Sequence, residues 1–168
     1  MNTKNLIVKY GLLLGISKVI VELLNYAFGD LYVRPWWVGL LGFALFVGFI
    51  VWAINDYKAL NDGYLRVNEA IKTGLGISLI AAVIGAIFLY VLIYYIEPGF
   101  IEKSLEVQEQ LMLEKNPDMD EQTLEMALDM ARKFMNPFFL FAATIAGTLI
   151  FGLIISLIAG LVMQKKEI

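Results

Sequence analysis

A chain of 168 residues that is 60% hydrophobic, with a mean hydropathy of +0.72, carries more apolar surface than one water-soluble core of that length can bury, so much of it must meet lipid. With 13 basic and 16 acidic residues the net charge is −3, which supplies no basic footprint for nucleic acid or an anionic membrane surface. The absence of cysteine and histidine removes disulfides, thiolate nucleophiles, thiolate or imidazole metal ligation and the usual neutral-pH proton shuttle.

The first apolar run, 6–28, is long enough to cross a hydrocarbon core, which takes roughly 20 helical residues. It lacks a short apolar region followed by a small-residue cleavage site, so it reads as an uncleaved anchor. Gly11, Gly15, Lys18, Glu22, Asn25 and Gly29 recur at steps of four and three, on one stripe of a helix. A charge at the centre of a membrane helix costs about 2.5–3.5 kcal/mol on insertion scales, so this stripe must face protein or water. Lys18 lies near mid-span with Glu22 one turn outward and Asn25 beyond it. These three form the candidate polar seam, with Glu22 as the expected relief for Lys18. The seam supports two readings: a proton- or cation-coupled passage, or an ion pair that fixes helix register.

The second run, 36–54, follows Pro35, and the third, 74–96, ends before Pro98, so both prolines mark ends. Asn55-Asp56 resembles the start of a diphosphate-magnesium motif, but Ala59 stands where the next acid is needed, and the pair is read as an interfacial loop. Asn61-Asp62-Gly63 is a turn signal, and 64–72 is expected to lie along the inner interface. Small residues Ser78, Ala82 and Gly85 on the third span join Gly74 as candidate helix-packing positions.

Between the third and fourth runs, 97–136 holds ten acids against Lys103, Lys115, Arg132 and Lys133. Two helices, 101–115 and 119–135, are expected there as a hairpin broken at Asn116-Pro117-Asp118, with Asp118 and Glu121 shaped as a capping box. The calcium-loop resemblance of Asn116, Asp118 and Asp120 fails where that geometry is strictest, at Glu121 and Ala127. Leu124, Leu128, Ala131 and Met135 share one face and Met126 and Met130 another, which fits an amphipathic cap on the spans or a methionine-rich partner surface. The fourth run, 137–163, has Asn136 as its expected cap and Pro137 in its first turn. Gly152, Ser156 and Gly160 offer it one close-packing face, and Ala143 and Gly147 a second, which suggests two neighbours.

Lys4, Lys9, Lys58, Arg66, Lys72, Lys165 and Lys166 fall on one side of these spans, which makes that side cytoplasmic. Trp36, Trp37, Tyr94 and Tyr95 would mark the outer interface, and Trp52 and Tyr57 the inner one.

Lys9-Tyr10-Gly11, the Asn61-Asp62-Gly63-Tyr64 turn with 69–74 after it, Tyr95-Ile96-Glu97-Pro98, and 152–158 running down to Lys165-Lys166 occur in an order that resembles the domain-of-unknown-function family 4199, uncharacterised bacterial inner-membrane proteins found mainly in Bacteroidota. The resemblance covers nearly the whole chain. It implies a four-span protein with an outward acidic helical segment, and supplies no activity and no site residues.

The expected architecture is therefore an all-α polytopic membrane protein forming one domain over 1–168. Four transmembrane helices build an antiparallel bundle, both termini are cytoplasmic, and an extracytoplasmic helical hairpin separates spans three and four. No acid-base, nucleophile or metal constellation points to an enzyme, and no cofactor is implied. The expected role is an accessory or assembly partner of another membrane component; the alternative is a small ion- or proton-coupled transporter or channel. Its surroundings are the lipid bilayer and either a second copy or another membrane protein.

Overall fold

In the computed structural model, which describes residues 2–165, each helix starts or stops at residues whose chemistry sets that end. Helix α1 spans Thr3–Phe28, and the Asn2 side chain accepts the Lys4 N–H at 3.2 Å. After Gly29 the chain turns because the Asp30 carboxylate accepts the N–H groups of Tyr32 and Val33, at 2.7 and 3.0 Å. Helix α2, Trp36–Leu60, follows Pro35 and ends in a turn where Asp62 and Gly63 take positive φ, 51° and 80°. Helix α3, Val67–Val91, opens with the Glu69 carboxylate accepting the Arg66 N–H at 2.8 Å and closes in a π-helical turn, Leu92–Ile96, just before Pro98.

Helices α4, Phe100–Lys115, and α5, Glu121–Phe134, flank the Asn116-Pro117 break and pack on one another. Helix α6, Pro137–Met163, has the expected cap: Asn136 accepts the Phe139 N–H at 2.9 Å.

Several expected boundaries move. Residues 67–72, expected along the interface, are the first turns of α3, which the Arg66–Glu69 cap opens at that point; Leu65 just before it exchanges two backbone hydrogen bonds with Lys165, each 2.9 Å. Asn55 and Asp56 lie in the last turns of α2 rather than in a loop. The cap of α5 is Asp120, not Asp118: its carboxylate accepts from the Thr123 N–H at 2.9 Å and the Thr123 hydroxyl at 2.7 Å. Lys166 lies outside the described residues.

Helix α3 is the centre of the packing, with its most extensive contacts to α6 and α1. Gly76, Gly11 and Gly15 sit so close to Ile7, Ile80 and Ile84 that a Cβ at each would press on those side chains. Residues 7, 11 and 15 thus ascend α1 as 76, 80 and 84 ascend α3, and the two helices run parallel. Against α6 the order reverses: Gly160 faces Ala70, Ser156 faces Gly74 and Gly152 faces Ser78, a close antiparallel seam of small residues. Ala82 is buried in the same region, while Gly85 meets only an ordinary contact from Thr144.

The buried apolar cluster, built on Leu6, Tyr10, Leu14, Ile50, Ile54 and Ile77, occupies the end of the bundle that holds the α2–α3 turn. That end also carries Lys9, Lys58, Arg66 and Lys165; the Lys58 ammonium donates to the Met163 carbonyl at 2.9 Å.

Among the described residues three helical segments are long and apolar enough to cross a membrane: Trp36–Leu60, Val67–Ile96 and Pro137–Met163. Charges at Lys4, Lys9, Lys18 and Glu22 interrupt α1, which is not one of them. The outward faces are apolar, with Trp36, Ile87 and Val162 at 80, 60 and 79% exposure, a surface that suits lipid and not water.

Candidate functional site

Away from the sealed end of the bundle, α1, α2 and α6 stand apart and leave a groove of about 430 Å³. Its α2 wall is made by Gly39, Gly42, Phe43 and Phe46, a stripe at steps of three and four that turns two glycines and two rings to the same side. Thr144, Gly147 and Thr148 form the α6 wall, and Lys18 and Glu22 enter from α1. A Cβ at Gly39, Gly42 or Gly147 would meet nothing within 4 Å, so these glycines are where the wall recedes rather than where helices touch.

The charges in the groove are two cations, Lys18 and Arg34, and one carboxylate, Glu22, which sum to +1. Glu22 is paired with Arg34, the loop residue before Pro35, not with Lys18. The pair is half-exposed, with side-chain exposures of 48% for Arg34 and 33% for Glu22. Lys18 is half-buried, and its ammonium lies 5.6 Å from the centroid of the Phe46 ring. Among the described residues no carboxylate comes within ion-pair distance of it. The Thr144 and Thr148 hydroxyls donate to the carbonyls one turn back, Leu140 at 2.8 Å and Thr144 at 2.7 Å, so they offer the groove lone pairs and not protons.

The six stripe residues of α1 therefore divide. Gly11 and Gly15 pack on α3, whereas Lys18 and Glu22 face the groove. Asn25 is buried but leaves the seam: its amide donates to the Asp30 carbonyl at 3.2 Å and braces the turn after α1. Gly29, at the end of the stripe, lies against the Asn25 side chain. Of the packing candidates, Ser78, Gly152, Ser156 and Gly160 meet in the α3–α6 seam. There the Ser156 hydroxyl donates to the Gly152 carbonyl at 2.6 Å, and the enclosed Ser78 hydroxyl has no partner among the described residues. Ala143 and Gly147, the second face of α6, line the groove, where a Cβ at Gly147 would meet nothing within 4 Å among the described residues.

Two tethers escape a reading by spacing alone. Tyr10 donates to Asp56 at 2.5 Å, tying the start of α1 to the end of α2, with the Tyr10 and Trp52 rings 5.8 Å apart. At the other end Glu97 accepts from Lys103 at 2.5 Å and from Tyr26 at 3.5 Å, and Tyr32 stacks on Phe100 with centroids 5.9 Å apart, so the base of α4 is held against the α1–α2 turn. The hydrogen bond from Lys103 holds the Glu97 carboxyl below the usual carboxylate range and raises Lys103 in return. Tyr32 sits beside this pair with its hydroxyl enclosed; burial first, then the Glu97 carboxylate as an acceptor and as a charge, pushes that hydroxyl up.

On α5, Leu124, Leu128 and Met135 are half-buried and Ala131 is buried, so this face packs inward while Met126 and Met130 stand exposed at 67 and 62%.

Among families of known proteins, the one described as "Protein of unknown function (DUF4199)" matches residues 9–165. No curated protein and no solved structure matches the chain.

Proposed function

We propose that the chain, which belongs to the DUF4199 family, is a bacterial inner-membrane protein whose four long helices all cross the bilayer, and that it acts as an accessory or assembly partner of another membrane component rather than as a conduit. Both termini are then cytoplasmic, and α4 and α5 form an acidic hairpin on the outer side. The parallel register of α1 on α3 supports the fourth crossing: whatever depth 76–84 occupies, 7–15 occupies beside it. The basic end of the bundle supports the orientation.

The observation that carries the accessory role is the sealed half of the bundle. Leu6, Leu14, Ile50, Ile54 and Ile77 are fully buried between the groove and the basic end, and the side chains of Thr73, Ser78 and Ser156 buried in that half are neutral hydroxyls. An ion held at the groove would have to cross that layer with no charged ligand among these side chains, at a cost that desolvation makes high. Proteoliposomes containing the purified chain and a pH-sensitive dye test this. The expected result is a pH gradient that decays no faster than in empty vesicles. Decay that depends on the protein and disappears with Glu22→Gln would replace the accessory role with proton passage.

A further inference from the structure

We propose that the groove between α1, α2 and α6 binds an anionic amphiphile, its oxyanion head on Lys18 and the N–H groups of Arg34 that Glu22 leaves free, and its chain along the α2–α6 furrow. Three independent features converge on this ligand. The first is charge. Glu22 is paired with Arg34, so the groove sets two cations against one carboxylate, and the Lys18 ammonium lies over an aromatic face without an ion-pair contact of its own among the described residues. Within a membrane a lone cation is stabilised by acquiring an anion, and an ammonium with three N–H donors suits a carboxylate or phosphodiester oxygen.

The second feature is the donor set. Because both threonine hydroxyls donate to their own helix, the free donors at the groove belong to Lys18 and to the remaining N–H groups of Arg34, so an oxyanion there would be held by charged donors alone.

The third is room of the right kind. At Gly42 and Gly147 a side chain could be added into empty space, whereas every glycine of the α3–α6 seam would collide. A second furrow of about 360 Å³ continues down the same pair of helices, walled by Val47, Val51, Ile155 and Ile158, and Phe43 borders both spaces. A charged pocket that adjoins a purely apolar trough across the Phe43–Phe151 ring pair, centroids 6.4 Å apart, matches one molecule with an acidic head and an acyl chain that runs past the rings; a free inorganic anion would leave the trough unused.

Native mass spectrometry of the full chain released from detergent tests the assignment, with phosphatidylglycerol, diacylglycerol, oleate and inorganic phosphate as probes. Retention of phosphatidylglycerol, oleate or both is expected at about tenfold or more, the factor that one charge-assisted hydrogen bond supplies, over diacylglycerol, which has acyl chains and no oxyanion. Which of the two is retained distinguishes a phospholipid from a fatty acid as the source. Lys18→Gln should erase that preference and Lys18→Arg should keep it. Gly147→Leu, which fills the groove without touching a charge, should lower retention of every amphiphile, and Arg66→Gln at the opposite end should change nothing. Equal retention of phosphatidylglycerol, oleate and diacylglycerol, a preference that survives Lys18→Gln, or complete displacement by inorganic phosphate would each overturn the proposal.

Discussion

The two halves of the bundle use the same small residues to opposite ends. Toward the basic end, Gly74, Gly152 and Gly160 bring α3 and α6 so close that no Cβ fits, and the space around them is filled by buried apolar side chains. Toward the other end, Gly39, Gly42 and Gly147 face open space, and the helices they belong to are separated by a charged groove. A glycine in a membrane helix thus marks either close approach or deliberate retreat. What stands across from it decides which: Ser78 and Ser156 in the first case, Lys18 and the Glu22–Arg34 pair in the second.

Substitution at these glycines breaks the comparison most sharply. Gly152→Val drives a branched side chain into Ser78 and should lower stability by about 1–3 kcal/mol or more, the usual range for overpacking. Gly147→Ala should stay within about 1 kcal/mol of the parent, because the added methyl meets nothing and alanine favours helix. Thermal unfolding of both variants in one detergent provides the measurement; similar losses would dissolve the distinction between the halves.

Within the groove, Glu22→Gln leaves Lys18 and Arg34 without a carboxylate between them. The half-exposed pair limits the loss to about 1 kcal/mol. A double-mutant cycle should show coupling of Glu22 to Arg34 that exceeds its coupling to Lys18. In the sealed half, Tyr10→Phe removes the hydrogen bond to Asp56 and should cost about 1 kcal/mol without altering the groove.

The smallest effect belongs to the tether of α4. Because the folded Glu97 carboxyl is held low, its bond to Lys103 contributes fully above the ordinary carboxylate range and is lost as pH falls through the lowered folded value. Lys103, raised in turn, contributes below its ordinary range and loses its share as pH climbs through the raised value. The protection factors of amides 100–104, taken against the intrinsic exchange rate at each pH, should therefore fall at acid pH in the parent and be less sensitive to pH in Glu97→Gln.

Much of the helical plan can be read from local chemistry. Asn136-Pro137 and Met163 bound α6, the Asp62-Gly63 turn ends α2, and the proline at 117 divides α4 from α5, all through interactions between residues a few positions apart. Long-range pairings account for what could not be read. Leu65, just before α3, pairs with Lys165 a hundred residues away in the sequence, and Asp56 finds its partner in Tyr10. In the candidate site the spacing of Lys18 and Glu22 does put both in one groove. It does not identify Arg34 as the partner of Glu22, because that choice is made by the turn that Asp30 and Asn25 fold between them. Nor does it separate the packing glycines from those of the groove wall, since a period of three or four looks the same whether the facing helix is near or far.

The crossing of α1 is the claim on which the rest of the account stands, and a chain without native cysteine allows it to be tested directly. Asn5→Cys and Val33→Cys, at the two ends of α1, can each be exposed in spheroplasts to a membrane-impermeant maleimide. Labelling at 33 in intact spheroplasts, with labelling at 5 only after permeabilisation, is the predicted result. Labelling of both positions from the same side would contradict the four-crossing bundle and the orientation of its charged groove.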